Sequence, residues 1–269
     1  MEKIAFIGAG NMARAIIVGL VNSGVKAKNI MVANPSPEKR EALANEFGIQ
    51  QTRNNIEAAT FADIIVLSVK PHFICDVCQQ LSSALDISNK LFISVAAGTT
   101  VNQIQQALNC NASLVRVMPN TPSQLGLGMS GLFASKEVNA DQKLASDKLM
   151  SAVGKVIWLP TEDKINDVIA VAGSAPAYFF LFMEAMEKHA ISLGFTPEES
   201  RMLVQQTALG SAEMVAQNSD VDISTLRSNV TSKGGTTHAA IEQFKHEGLD
   251  EIVKNSMNAA IARAEEMAK

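Results

Sequence analysis

Cysteine is scarce: Cys75, Cys78 and Cys110 are the only three in 269 residues. An odd, sparse count excludes a disulfide framework. Cys75 and Cys78 form a C-x-x-C pair with His72 nearby, but a zinc site takes about four ligands and no second pair exists. On a helix, three-residue spacing places both thiols on one face, so a buried apolar face is the expected role. Basic charge is also in short supply. Lys and Arg number 23 against 27 Asp and Glu, for a net charge of −4. With no basic stripe, nucleic acid is not an expected partner. The opening "MEKIAFIGAG" enters an apolar strand within three residues and lacks the basic region and long apolar run of a secretory leader. The longest charge-free apolar run, Val168–Met183, is interrupted by Gly173 and Pro176. It is expected to be too short and too broken to span a bilayer. These absences suggest a cytoplasmic protein without a membrane partner.

What is present is core material, with a hydrophobic fraction of 47%. In the first half it falls into alternating periods. Strands are expected at Lys3–Ile7, Asn29–Ala33, Asp63–Val69, Leu91–Ala97, Leu114–Met118 and Val156–Leu159. Helical spacing lies between them, as in Met12, Ile16, Ile17, Leu20 and Val21. Apolar runs without alternation suggest strands buried on both faces of a parallel sheet, and the β-α alternation implies a doubly wound arrangement. After Pro160 the strand signals stop, and the chain reads as successive helices. The expected division is therefore residues 1–160 and 161–269.

"IGAGNMA" supplies the first chemical signal. Gly8 and Gly10 stand between a strand and a helix, with Ala13 in the third position of a G-x-G-x-x-G/A pattern. Gly8 permits a tight turn, Gly10 lets a pyrophosphate approach the backbone, and Ala13 allows close helix–strand packing. The helix start then offers free N–H groups and a positive dipole end. In this context the loop reads as a dinucleotide site in a Rossmann-type sheet, with Ala9, Asn11 and Met12 beside the glycines. An acidic residue at the end of the second strand would hold the ribose hydroxyls of NAD. "VANPSPEKR" has Asn34 there instead, and Ser36, Lys39 and Arg40 are placed to meet a 2′-phosphate. NADP is the expected cofactor, NADPH being preferred and NADH possible. Ligands sit beyond the carboxyl ends of such strands, here "SVKPH", "SVAAG" and "VMPNTP". Val69, Lys70, Pro71, Ala96 and Ala97 are therefore counted with the cofactor set, as is Asn55.

In the helical half, "PAYFFLFMEAMEKHAISLG" is apolar around most of its circumference. A helix of that kind is buried, and a short helical half can bury it more easily against a second copy of itself. Homodimerisation is the expected consequence.

The pieces "FIGAGNMA", "VKP", "VAAG", "PNTP", "GSAPAYFF" and "VTSKGGTTHAAIE" together resemble the pyrroline-5-carboxylate reductase family, over nearly the whole chain. The last segment is the most specific. The resemblance implies a Rossmann-type domain followed by an all-helical dimerisation domain, and a homodimer or ring of dimers. It also implies NAD(P)H-dependent reduction of 1-pyrroline-5-carboxylate to L-proline. Thr237 matches the family's signature threonine, whose hydroxyl contacts the substrate nitrogen, and Asn229 and Thr236 carry over as substrate contacts. The chain departs from the family at Lys233, usually proline, and at Ala175, usually glycine. Gly234 and Gly235 can turn their N–H groups toward a carboxylate, while His238, about 100° away from Thr237 on a helix, is expected to be structural. A β-hydroxyacid dehydrogenase is a competing reading, but no Lys-x-x-x-Asn opens the second half. A third is a regulator that binds NADPH without turnover.

Overall fold

The computed structural model describes residues 2–267. Two compact units divide the chain: one runs to Pro176 and takes in the chain from Ala260, and the other is Ala177–Ala259.

The first unit is built on one eight-stranded sheet. Its strands are β1 (Ile4–Ile7), β2 (Ile30–Ala33), β3 (Gln50–Thr52), β4 (Ile64–Leu67), β5 (Leu91–Ser94), β6 (Ser113–Met118), β7 (Gly128–Ala134) and β8 (Gly154–Trp158). They lie in the order β3-β2-β1-β4-β5-β6-β7-β8. The first six run parallel, β7 is antiparallel to β6, and β8 is parallel to β7. Every residue of β1, β2, β4 and β5 is buried, as unbroken apolar runs require.

Side chains alternate between two cores. Ile4 and Phe6 point into one, and Ala5 and Ile7 into the other. Helices α1 (Asn11–Asn22) and α2 (Pro37–Phe47) cover the first face with Ile16, Ile17 and Leu43. Helices α3 (Asn55–Phe61), α4 (Ile74–Ala84) and α5 (Val101–Ala107) cover the second with Ala58, Leu81 and Ile104. The chain changes face after β3, so the sheet is doubly wound and strand order reverses between β1 and β4.

Two strands differ from the sequence expectation. β3 is a three-residue polar edge, Gln-Gln-Thr, too short and too polar to show a period. β7, Gly-Met-Ser-Gly-Leu-Phe-Ala, hides behind its glycines. Gly131 is there because a Cβ would lie 2.8 Å from a Val168 methyl. After α6 (Ala140–Ser151) and β8, α7 (Lys164–Val168) continues into a π-turn at Ile169–Gly173. These residues pack on the sheet, which is why the compact unit closes at 176 while the strand signals stop at 160. Buried Asn120 holds the π-turn, donating from Nδ2 to the Ala172 carbonyl (3.1 Å) and accepting from Met129 N (2.9 Å).

Helix α8 (Ala175–Ser192) follows. The helical run Lys164–Ser192 spans 29 residues with hydropathy 1.6, long and apolar enough by length and composition to cross a membrane. The interruption expected from Gly173 and Pro176 is overturned: the π-turn absorbs the glycine, and Pro176 sits in the first turn of α8, where its missing N–H is harmless. The other unit continues with α9 (Pro197–Gln217), α10 (Ile223–Asn229), α11 (Thr236–His246) and the first part of α12 (Leu249–Met267). Its apolar side chains are largely uncovered: Phe179, Phe180, Leu181, Phe182, Met202, Leu203 and Ile252 are all exposed, and no residue of α8 is buried.

Candidate functional site

At the switch point between β1 and β4, the backbone turns from Ile7 into α1. Gly8 has φ +109°, and a Cβ there would lie 2.6 Å from the Ser68 carbonyl oxygen. The approach is locked by Ser68, whose N donates to Ile7 O (2.9 Å) and whose hydroxyl reaches the carbonyls of Ile7 (3.1 Å) and Gly8 (3.0 Å). Gly10 is a different case. Its φ of −77° suits any residue, and among the described atoms a Cβ would meet only Ser68 O, at 4.0 Å. No steric contact among the described residues needs glycine there. The open face adjoins the N-terminus of α1, where the first N–H groups have no intrahelical acceptor and an anion can dock.

A cleft of about 670 Å³ opens at this point. It brings together Gly8, Ala9, Gly10, Asn34, Ser36, Asn55, Val69 and Lys70 from the expected set. Asn11 and Met12 begin α1 beside it, and Pro71 starts the 3₁₀ turn that follows Lys70. Ala96 instead packs into the core under β5, with Ala97 half-buried beside it; neither lines the cleft. The other wall comes from α4 and the turn before it: Phe73, Asp76, Val77 and Gln80. Sequence reasoning missed these four. The face α4 turns to the cleft is the margin of its amphipathic pattern and carries no motif. Gln80 is tied in, accepting from Asn55 Nδ2 at 3.1 Å.

Asn34 joins the two loops of the cleft. Its Oδ1 accepts from Ala9 N (3.3 Å) and its Nδ2 donates to Ser36 O (3.1 Å). Lys39 lines the same edge. Arg40, expected beside a 2′-phosphate, has a structural position: its guanidinium donates to the carbonyls of Asn34 (3.1 Å) and Pro35 (3.0 Å) and to Gln51 Oε1 (2.7 Å). It shapes the loop that Ser36 and Lys39 present.

The paired cysteines take no part. Cys78 is buried on the core face of α4, and burial, with Cys75 adding to it, pushes its thiol up to about 12. The group stays protonated and unreactive.

The contrast between the two glycines is testable by itself. Gly10→Ala is expected to change the melting temperature little: the φ is compatible with alanine, but alanine is a poorer residue than glycine at this N-cap of α1, and the two effects offset. The same change should weaken dinucleotide binding by about tenfold or more, a loss of at least about 1.4 kcal/mol. Calorimetry with a NADPH titration reads both. A folded variant that binds as tightly as wild type would remove the docking role of this face.

In the helical unit, α10 ends at Asn229 and α11 begins at Thr236. Gly234 between them takes φ +75°, a left-handed turn that favours glycine. One expectation is corrected here. Gly235 N donates to the Ser232 carbonyl at 3.0 Å, so it cannot turn toward an anion. The donors left for that purpose are the first N–H groups of α11 itself, and among the described residues no side chain caps them. Asn229, Gly234, Thr236 and Thr237 are exposed, and His238 is half-buried.

A cleft at the switch point of the sheet and an uncapped, glycine-led helix start agree with what this chain is similar to. Residues 3–98 match a family described as NADP oxidoreductase, coenzyme F420-dependent. Residues 162–267 match pyrroline-5-carboxylate reductase dimerisation. A pyrroline-5-carboxylate reductase of Vibrio alginolyticus is 57% identical over 268 residues, covering 100% of this chain and 98% of that one. The structure of a pyrroline-5-carboxylate reductase from Coxiella burnetii superposes with a TM-score of 0.95 at 42% identity, covering 100% and 99% of the two chains. That of Plasmodium falciparum pyrroline carboxylate reductase, with NADP bound, gives 0.88 at 29%, covering 100% and 98%. Likeness of this degree, running end to end through both the cleft and the helical half, means that the chain belongs to the pyrroline-5-carboxylate reductase family.

Proposed function

We propose that this protein reduces 1-pyrroline-5-carboxylate to L-proline, with residues 1–160 holding the cofactor and 161–269 holding the substrate and pairing with a second copy. The observation that carries the reading is the open face of Gly10 at the start of α1, a docking surface no contact among the described residues explains, in a chain whose second half carries exposed Gly234, Thr236 and Thr237.

The substrate is a cyclic imine bearing a carboxylate. Protonated on nitrogen it is an iminium and already accepts hydride, so positioning supplies much of the rate. The reduced nicotinamide, when bound, is the source of that hydride. The first N–H groups of α11, at the positive end of the helix dipole, suit the carboxylate. The Thr237 hydroxyl suits the ring nitrogen, with Asn229 and Thr236 beside it. Gly8, Ala9, Gly10, Asn11 and Met12 cradle the pyrophosphate. Asn34, Ser36, Asn55, Val69 and Lys70 border the cofactor within the cleft, with Pro71 beside them, and Ala96 and Ala97, outside the cleft itself, would meet it only through their backbone beyond β5.

NADPH is the preferred reductant on this reading. Ser36 and Lys39 stand at the edge where a 2′-phosphate would lie, and Asn34 brings no anion to repel it. The uncovered faces of α8 and α9 support a homodimer or ring of dimers, and covering them with protein accounts for the long apolar helical run without a bilayer. A cytoplasmic protein with no nucleic-acid partner completes the reading.

The test is NADPH consumption followed with 1-pyrroline-5-carboxylate. Turnover is expected, with kcat/KM higher for NADPH than for NADH. Asn34→Asp should reverse that order, because the new carboxylate faces the phosphate. No turnover, with serine or 3-hydroxyisobutyrate oxidised in its place, would transfer the protein to the β-hydroxyacid dehydrogenases. NADPH binding without turnover of any imine would make it a regulator.

A further inference from the structure

Beyond β5 the chain passes through Ala96, Ala97 and Gly98 to Thr100, which caps α5 through a reciprocal pair with Gln103. This loop lies past the switch point on the side away from β2. It is therefore on the half of the sheet edge that takes the nicotinamide if the adenine end lies over β2. Two remote parts of the chain hold it. Glu162, just ahead of α7, accepts from Val101 N at 2.7 Å with its Oε1. The same oxygen takes Arg116 Nη1 of β6 at 2.5 Å. Arg116 is only 6% exposed in its side chain, a cation that would not remain inside the sheet without this partner. On the other side, Gly98 has φ +78°, and a Cβ there would meet the Met267 carbonyl oxygen at 3.3 Å. The loop is pinned at Val101 by a carboxylate and abutted at Gly98 by the end of α12.

We propose that Glu162 is a positioning residue for the reduction: by holding the Val101 N–H, with Arg116 orienting its carboxylate, it fixes the Ala96–Gly98 loop against the nicotinamide half of the cofactor. This rests on the proposed reductase reading. Glu162 is not among the residues lining the cleft; its carboxylate acts through the backbone it holds.

The test removes the acceptor without stranding a buried charge. In Arg116→Met/Glu162→Gln the amide oxygen can still accept from Val101 N. In Arg116→Met/Glu162→Met it cannot. Neither variant leaves a lone charge inside, so both are expected to fold, and circular dichroism verifies this. The Gln variant should stay within about threefold of wild-type kcat. The Met variant should lose about tenfold or more, a part of the 10²-fold cost of an ångström of misplacement. Its dissociation constant for NADPH should change less than threefold, while the primary isotope effect with 4-deuterated NADPH rises. Amide exchange at Val101 and across Ala96–Gly98, measured without cofactor, should quicken in the Met variant only. Equal kcat, isotope effect and exchange in the two variants would overturn the proposal. If wild type fails to reduce 1-pyrroline-5-carboxylate, the reductase reading falls, and the exchange comparison still decides whether Glu162 holds the loop.

Discussion

Phe180→Glu is expected to convert the wild-type assembly to monomers at micromolar concentration without unfolding the chain. Phe180 is 61% exposed on α8, so glutamate disturbs little within one chain. The interface carries the loss. Fully burying a phenylalanine is worth roughly 1.5–3 kcal/mol, and covering the part still exposed is worth about 1–2. A two-fold interface presents the same residue from both subunits, so the loss is about 2–4 kcal/mol, or roughly 30- to 1,000-fold in the dimer constant. Glu184 and Glu187 line the same groove, as does Arg201; two carboxylates against one guanidinium leave the new carboxylate costly to desolvate, which adds to the loss. Light scattering with circular dichroism reads the outcome. A wild type that is itself monomeric, or a variant that stays assembled with unchanged stability, would place the exposed helices in some other role. The expectation follows from a general feature of α8. Phe179, Phe180, Leu181 and Phe182 are consecutive, 100° apart, and all exposed. Together they leave only a narrow stripe of the helix, with Met183, Glu187 and Ala190, half-buried, so most of its circumference is open.

The sheet was legible wherever burial on both faces wrote itself as an apolar run, as in β1, β2, β4, β5 and most of β6. It was not legible in β3, where three residues show no period, or in β7, where Gly128 and Gly131 serve neighbouring backbone and Val168 rather than a strand pattern. The glycine loop was readable because each glycine has a local cause, one in a left-handed turn and one in an open face. Side-chain roles set by distant partners left no local trace. Arg40 looks like a phosphate ligand in "SPEKR", and only the fold reveals that three oxygens of its own neighbourhood take its guanidinium. Glu162 meets Val101 and Arg116 across 61 and 46 residues, and no spacing rule reaches that far. The Gly235 N–H escapes the sequence for the opposite reason: its acceptor, Ser232, is three residues away, and the tight turn that joins them is invisible in a list of small residues.

Thr237→Val should lower kcat/KM on the order of 10²-fold, the cost of removing one well-placed donor or acceptor at a reacting atom. Thr237 is the second residue of α11 and exposed. Valine keeps its shape and branching and removes only the hydroxyl. No hydrogen bond within the chain is lost with it among the described residues, because α11 has no side-chain cap, so stability should be nearly unchanged. NADPH binding should also hold, since the residues of the dinucleotide cleft lie at the switch point of the sheet. The first N–H groups of α11 survive the substitution. Affinity for a carboxylate-bearing proline analogue should therefore fall far less than turnover does. Lys233→Pro isolates the neighbouring contribution. A fixed φ ahead of the left-handed Gly234 should preorganise the turn and lower KM, whereas a rise in KM that fades with salt would make the lysine a substrate contact. His238→Ala is the discriminating control. If Thr237 holds the ring nitrogen, the histidine variant loses much less activity than the valine variant. The reverse ranking would make His238 the proton donor and reduce Thr237 to part of the helix start.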